Sequence, residues 1–318
     1  MQIKRQLQAA LVAEAILLLA AINSMSIAFA GGGGPPPATH THYGFTTIDI
    51  PDGVDGVFAY GVNDEGLVSG FYEDSSAYYH GFLWKDGTVR TVDAPGDWAD
   101  TYLGSGNDLG VVIGNYDDDL TVSHATLYRV WDQTWTRLPD VPGCPLNYGN
   151  AINNYGIAVG AAYQGTPTDY YGGVGWIWDG RHYSLFTVPE ASGLAYGTYA
   201  AGINDSGKVS GLYQDSQNVY HGFLKHGQNI TSLDVPGAED TFAYGINNQD
   251  EVVGYYFDGS AYHGVIMQAG KFVTVDVPGA TNTQIFGINN RDQIVGWYSD
   301  TSNPNGWGFV ATPIDGER

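Results

Sequence analysis

One motif of 42 to 51 residues recurs six times along this chain, and this repetition constrains the fold more than any other feature of the sequence. Each copy contains an asparagine that begins a turn, and successive asparagines are 44, 46, 51, 43 and 42 residues apart. These residues are Asn63, Asn107, Asn153, Asn204, Asn247 and Asn289. A fixed period of this length is typical of repeat architectures, in which neighbouring units bury each other's apolar faces.

Each copy has the pattern of four short strands. In the first copy, the turn at Asn63 is followed by apolar and β-branched runs at 67–72, 79–84 and 88–92, which polar or glycine-containing turns separate. A further run precedes the asparagine. Short β-forming runs separated by Asn, Asp and Gly are typical of an antiparallel meander, and four strands in about 40–45 residues match one propeller blade.

The two ends of the repeat region have complementary defects. Residues 45–50 form a fourth strand without the three that should precede it, and the last copy has strands at 285–289, 293–298 and 307–311 but no fourth. Pairing them would leave no open sheet edge. The sequence therefore predicts an all-β fold, a six-bladed β-propeller of four-stranded antiparallel blades, in which the N-terminal strand closes the last blade. An open solenoid is the alternative, but it would need capping repeats.

Two further residue types recur in the copies. A glycine lies in the middle of the second strand of every copy, which indicates close approach of a neighbouring blade or a β-bulge. A histidine precedes the third strand's apolar run in four copies, and we interpret it as a residue that forms hydrogen bonds between blades. These positions are Gly70, Gly114, Gly160, Gly211, Gly254 and Gly296, and His80, His124, His221 and His263.

The N-terminus has the pattern of a secretory leader. Lys4 and Arg5 precede a short apolar stretch, and small residues follow it at a cleavage-like site. The sequence predicts a signal peptide at 1–30, a Gly/Pro-rich linker at 31–43 and the propeller at 44–318. The expected location is outside the cytoplasm, extracellular or periplasmic.

The charge balance restricts the partners. Without Lys4, Arg5 and Glu14 of the leader, the 12 basic and 34 acidic residues fall to 10 and 33, a formal charge of −23. Such a surface repels phosphate backbones and anionic lipid, so neither nucleic acid nor membrane is an expected partner. The single cysteine, Cys144, excludes an intramolecular disulfide. We expect a monomer.

The recurring phrases resemble those of a bacterial extracellular repeat family that is named for a His-Ala-Phe motif. They are Gly-Ile-Asn-Asn at 245–248, Val-Val-Gly-Tyr-Tyr at 252–256 and His-Gly-Phe-Leu at 221–224. The resemblance covers about 45–311. The motif departs at 124–126, which reads His-Ala-Thr, and two copies lack the histidine. The resemblance implies secretion and a β-rich repeat fold, and it implies no established chemistry.

Candidate site residues are those that break the sixfold symmetry. The position three residues before each repeat asparagine is variable and partly aromatic, and on an innermost strand it would face the channel. The candidate ligand-binding residues there are Tyr60, Asn150, Tyr244 and Phe286. The densest acidic cluster is Asp117, Asp118 and Asp119, which makes these the candidate metal ligands. Calcium is the cation considered, although no calcium-loop pattern is present; no other cofactor is expected.

These observations favour a secreted, non-catalytic binding module that takes a glycan or a protein on the propeller face. No nucleophile elbow, zinc-protease motif or phosphate-binding loop is present in the sequence. The alternative is a polysaccharide-active hydrolase or lyase that uses a carboxylate in the central channel. An enzyme would need two carboxylates, or an acid and a His or Tyr, facing each other with perturbed pKa values.

Overall fold

The computed structural model describes residues 42–54, 56–96, 100–118, 122–166, 169–192 and 197–314. The predicted leader, nearly all of the linker and Asp119 lie outside these ranges. Within them the chain forms 24 strands and no helix. The described part of the chain accordingly contains no helix long and apolar enough to cross a bilayer.

The strands form six four-stranded antiparallel sheets. The first strand, β1 (Tyr43–Ile48), stands apart from the strands that follow it in sequence. Blade 1 contains β2 (Val57–Val62), β3 (Val68–Glu73), β4 (Tyr79–Lys85) and β5 (Thr88–Thr91). Blade 2 contains β6 (Thr101–Gly106), β7 (Val111–Asp117), β8 (Ser123–Arg129) and β9 (Thr134–Arg137). Blade 3 contains β10 (Leu146–Ile152), β11 (Ala158–Thr166), β12 (Asp169–Trp178) and β13 (Tyr183–Phe186).

The second half of the chain repeats this order. Blade 4 contains β14 (Thr198–Ile203), β15 (Val209–Gln214), β16 (Tyr220–His226) and β17 (Asn229–Leu233). Blade 5 contains β18 (Asp240–Ile246), β19 (Val252–Phe257), β20 (Tyr262–Gln268) and β21 (Lys271–Thr274). Blade 6 contains β22 (Asn282–Ile288), β23 (Ile294–Ser299), β24 (Trp307–Pro313) and β1.

Closure of the ring through the N-terminal strand is confirmed. Strand β1 pairs antiparallel with β24, from Tyr43 opposite Pro313 to Ile48 opposite Gly308. A side-chain contact shows that β1 takes the fourth-strand place: the Tyr298 hydroxyl lies 2.8 Å from Oγ1 of Thr47. In blade 1 the corresponding pair, Tyr72 and Thr91, joins the second strand to the fourth in the same way.

The first strand of each blade lies innermost, and the first strands of neighbouring blades contact each other around the whole ring, including β2 with β22. Burial follows this radial order. All six residues of β2 are buried, whereas no residue of the outermost strand β5 is. We call the end of the ring that carries the turns beginning at the repeat asparagines the Asn-turn face. The other end, where the chain passes between blades, is the loop face.

The repeated glycine of the second strand lies beside a β-bulge, which confirms one of its two interpretations. A Cβ at Gly254 would lie 1.9 Å from the carbonyl oxygen of Phe242, which belongs to the inner strand of the same blade. At the other five glycines an added Cβ would lie between 1.9 and 2.2 Å from the equivalent carbonyl oxygen. The tightest contact is therefore within the blade, although the inner strand of the next blade also packs on this strand. In every blade the register between the first two strands shifts beside this glycine.

Candidate functional site

The six repeat asparagines form a closed ring of hydrogen bonds around the axis. Nδ2 of each asparagine donates to the backbone oxygen of the corresponding asparagine in the next blade, over 2.9 to 3.4 Å, and Asn289 donates back to Asn63. Each Oδ1 accepts the backbone N–H groups two and four residues later in its own turn, as Asn153 does from Tyr155 and Ile157. All six side chains are buried. One residue type thus forms both the turn and the contact between blades.

A second ring lies directly beside the first. The residue after each repeat asparagine accepts, through its side-chain Oδ1, the backbone N–H of its counterpart in the preceding blade over 2.7 to 2.9 Å. We call these six residues the Asx ring; they are Asp64, Asp108, Asn154, Asp205, Asn248 and Asn290. Three are carboxylates, and of these only Asp64 and Asp108 are neighbours in the ring. The Asx ring therefore carries unevenly distributed negative charge.

The two rings surround a cavity of about 80 Å³ that opens on the Asn-turn face. Its floor is formed by the residues three positions before the repeat asparagines, which lie at the β-bulges. A bulge turns a side chain away from the regular alternation of the strand, and here it directs the side chain towards the axis. Tyr60, Asn150 and Phe286 line the cavity. Three of the four candidate ligand-binding residues thus lie together at its base.

The fourth candidate, Tyr244, packs beside them and helps to close the channel. The rings of Tyr60 and Phe286 stack with centroids 4.9 Å apart, and Tyr244 meets both edge-on, at 6.0 and 5.2 Å. The three side chains are at most 9% exposed. Burial raises the pKa of Tyr60 and of Tyr244 well above the usual value for a phenol. These hydroxyls are therefore neutral hydrogen-bonding groups at any physiological pH.

The polar part of the floor is a short chain of hydrogen bonds. The Tyr199 hydroxyl donates to Oδ1 of Asn150 over 2.8 Å, and Nδ2 of Asn150 donates to the backbone oxygen of Ala200 over 2.8 Å. Burial raises the pKa of Tyr199 to about 12. The amide of Asn150 is thus fixed by the inner strand of blade 4, and a role for these residues in ligand binding stays a prediction.

Two of the candidate metal ligands, Asp117 and Asp118, lie elsewhere, at the loop face of blade 2. Asp117 is buried and accepts a hydrogen bond from the Ser123 hydroxyl. Burial raises the pKa of Asp117 to about 7; the carboxylates of Asp100 and Asp118 add to this rise, and the bond from Ser123 opposes it. Asp118 accepts the Val122 N–H and lies 3.1 Å from Nε2 of His124.

No group of three or more His, Cys, Asp or Glu side chains in the described ranges is arranged to hold a metal ion. Because Asp119 lies outside those ranges, the metal site at 117–119 stays a prediction.

The motif histidines do not join neighbouring blades, so that interpretation was wrong. Each lies between two aspartates of its own blade, one from the hairpin that precedes it and one that follows the outer strand. For His263 these are Asp258, 3.3 Å from Nε2, and Asp276, 2.8 Å from Nδ1. The other three clamps are His80 with Asp74 and Asp93, His124 with Asp118 and Asp140, and His221 with Asp215 and Asp234. The hydrogen bonds therefore stiffen single blades.

The clamp of His263 makes stability depend on pH. The hydrogen bond to Asp276 raises the pKa of His263 above its usual value, and Asp258 adds to the rise, although burial opposes it. A histidine with a raised folded-state pKa stabilises the fold below its unfolded pKa of about 6.5, and this contribution is lost as the pH rises through the folded value. We expect the urea midpoint to fall from about pH 6 to about pH 8, and to fall less in a His263→Gln variant. Identical pH dependence of the two proteins would contradict this.

Three exposed apolar side chains of the Asn-turn face, two of them aromatic, are not among the residues that the sequence predicted for the site. Leu109 and Tyr155 follow neighbouring members of the Asx ring and are 63% and 76% exposed. Trp131, 62% exposed, lies in the outer hairpin of blade 2, and its ring packs against Gly110 of the Asn turn. We call Leu109, Trp131 and Tyr155 the rim patch. The sequence contains a signal for two of them, because Leu109 and Tyr155 are apolar at a turn position that is polar in the other four copies. Those copies have Glu65, Ser206, Gln249 and Arg291.

Comparison with known proteins identifies the architecture. No protein-family model and no curated protein matches the sequence. Among solved structures, a candidate gluconolactonase is similar to 89% of this chain over 96% of its own length, with 14% identity and a TM-score of 0.52. TolB from Acinetobacter baumannii is similar to 83% of this chain over 65% of its own length, with 12% identity and a TM-score of 0.51.

A lectin from Aleuria aurantia in complex with α-methyl-L-fucoside is similar to 82% of this chain and 96% of its own, with 9% identity and a TM-score of 0.45. At these identities the likeness concerns the fold alone. Together with the six closed blades, the comparisons show that the chain is a six-bladed β-propeller.

Proposed function

We propose that this protein is a non-catalytic binding module, acting outside the cytoplasm, that binds a glycan on its Asn-turn face. The observation that carries the proposal is the rim patch. Trp131 and Tyr155 expose most of their surface, at 62% and 76%, on the face where a cavity lined by carboxylate and amide side chains opens. Flat aromatic rings stack on the apolar faces of sugars, and amides and carboxylates bind the hydroxyl groups.

The scaffold supports this use of the rim. The turns that carry Leu109 and Tyr155 are joined by the bonds from Asn107 to Asn153 and from Asp108 to Asn154, so their separation is fixed before a ligand arrives. A preorganised site loses little conformational entropy on binding. The closed floor of Tyr60 and Phe286 limits the ligand to the mouth of the channel.

Removal of the aromatic rings tests the proposal. We expect Trp131→Ala and Tyr155→Ala each to weaken binding to a glycan found on an oligosaccharide array by about tenfold, because each loses a stacking surface worth about 1 kcal/mol or more. Isothermal titration calorimetry measures the change. The matched control is Tyr171→Ala, since Tyr171 is 52% exposed on a hairpin of the loop face. Equal losses in all three variants, or none in the first two, would contradict the proposal.

One observation favours the alternative of a hydrolase or lyase. Asp117 has a pKa of about 7 and lies near Asp100 and Tyr102, whose own pKa is raised well above the usual value by burial and by these carboxylates. An acid with a pKa near neutrality suits general acid catalysis. Asp117 lies on the loop face of blade 2 and not in the central channel or at the rim patch. Release of shorter saccharides from a polysaccharide, abolished by Asp117→Asn and unaffected by Trp131→Ala, would support this alternative over a purely binding role.

Membership of the His-Ala-Phe repeat family is part of the proposal. What supports it is the shared role of the motif histidine, which takes the same place between two aspartates in blades 1, 2, 4 and 5. In these blades the histidine ring also packs against a tyrosine of the second strand, as His221 does against Tyr213 at 5.0 Å. One motif thus has one structural function wherever it occurs.

A further inference from the structure

The charge at the mouth of the cavity restricts which sugars could bind there. Three of the six Asx-ring residues are aspartates, and none of the described residues that line the cavity is Lys, Arg or His. Asp108 directly precedes Leu109 of the rim patch and neighbours Asp64 in the ring. A ligand lying on the rim patch would therefore have these two carboxylates at its side.

The Asn turns beside the rim patch carry no positive charge. Those of blades 1, 2 and 3, at 63–66, 107–110 and 153–156, contain Asp64, Glu65 and Asp108 and no Lys, Arg or His. In the outer hairpin of blade 2, Arg129 lies over the Trp131 ring, 5.8 Å from its centroid, and pairs with Asp132 at 3.0 Å. An anionic ligand that reached these turns would therefore meet like charge there.

We infer that the glycan bound at the rim patch carries no carboxylate or sulfate group, and that an amino sugar with a protonated amine binds more tightly than its neutral counterpart. The inference rests on the proposed function and adds the class of sugar. Its basis is charge complementarity: an ammonium group beside Asp64 and Asp108 gains Coulomb energy, whereas a uronate in the same place loses it. Because the carboxylates are partly exposed, the effect is moderate and decreases with salt.

The experiment compares matched β-1,4-linked hexasaccharides of glucosamine, glucose and glucuronic acid, titrated into the full chain at low ionic strength and mildly acidic pH. We expect affinity to fall in the order glucosamine, glucose, glucuronic acid, by about three- to tenfold at each step. Asp108→Asn should reduce the preference for glucosamine over glucose, measured as the ratio of the two affinities in the same variant. This variant should fold, because two asparagines, Asn248 and Asn290, are already neighbours in the Asx ring.

The matched control is Asp49→Asn, which removes the same charge from an exposed position at the loop-face end of β1. It should leave the order and the ratios unchanged. If it lowers the preference for glucosamine as much as Asp108→Asn does, that preference depends on the overall charge of the protein and not on the carboxylates beside the rim patch. The inference is then overturned.

The remaining outcomes separate the two proposals. Binding of glucose and glucuronic acid hexasaccharides with equal affinity, lost in Trp131→Ala, would overturn the inference and leave the proposed function intact. Absence of binding to any of the three sugars and to an oligosaccharide array would overturn both. Binding of a lysine-rich peptide in their place would identify a protein ligand, which also contradicts both.

Discussion

Gly254→Ala is expected to lower the free energy of unfolding by more than about 3 kcal/mol. The added Cβ would lie 1.9 Å from the carbonyl oxygen of Phe242 and 3.0 Å from its carbon. Both atoms belong to backbone that is fixed in the first two strands of blade 5, so neither can rotate away as a side chain would. Relief requires the bulge to move, and the bulge carries Tyr244 into the aromatic contacts that close the channel.

The control for this prediction is Gly44→Ala. Gly44 lies in strand β1, and a Cβ there would find its nearest neighbour at 3.6 Å, an ordinary contact. We expect its stability to stay within about 0.5 kcal/mol of the parent protein, since the added methyl group makes only ordinary contacts and breaks no hydrogen bond. Urea titration followed by tryptophan fluorescence measures both variants. Equal midpoints for the two would show that the close approach at Gly254 is easily relieved.

Asn153→Ala is expected to cost about 3–5 kcal/mol. The side chain of Asn153 makes three hydrogen bonds, one to the backbone oxygen of Asn204 and two from the N–H groups of Tyr155 and Ile157. Alanine leaves all three partners without this side chain in a buried place, and each unsatisfied buried group costs about 1–3 kcal/mol unless water enters. The cavity beside the ring could admit water, which limits the loss.

Two further variants make this result specific. Asn153→Asp keeps the acceptor for the turn but replaces the donor to Asn204 by a second oxygen, so we expect a loss at least as large at neutral pH, partly recovered when the carboxyl is protonated. Asn229→Ala changes an exposed asparagine of the outer strand β17 and should have little effect. A loss at Asn153 no greater than that at Asn229 would refute a stabilising role for the ring.

The fold could be predicted because the repeat shows both the number of strands in a blade and the way in which the ring closes. The copy length fixes four strands, and the complementary defects at the two ends identify which strand closes the ring, as the pairing of β1 with β24 confirms. The sequence could not tell whether a recurring residue contacts its own blade or the next. The prediction for the histidines was wrong for this reason, since both kinds of contact recur with the same period.

The sequence predicted which residues face the central axis, but it did not predict whether their side chains reach solvent. A fixed offset from the repeat asparagine correctly grouped Tyr60, Asn150, Tyr244 and Phe286 around the axis, because every copy has its bulge at that offset. Whether these side chains reach solvent depends on how three aromatic rings from different blades fill one channel, which no alignment of copies reveals. Exposure at the rim depends only on the turn itself, so Tyr155 could have been found from the sequence.

The six asparagine amides of the inner ring all donate in the same direction, so every blade gives one bond to the next and receives one from the blade before. No blade is terminal in this circuit. If the ring opens between two blades, it loses the asparagine hydrogen bond at that interface and the bond between the two adjoining turns. Digestion within the strands requires such an opening, because their backbone is otherwise held in sheets. We expect resistance to proteolysis to rest on this circuit and not on covalent cross-links, in a chain with one cysteine.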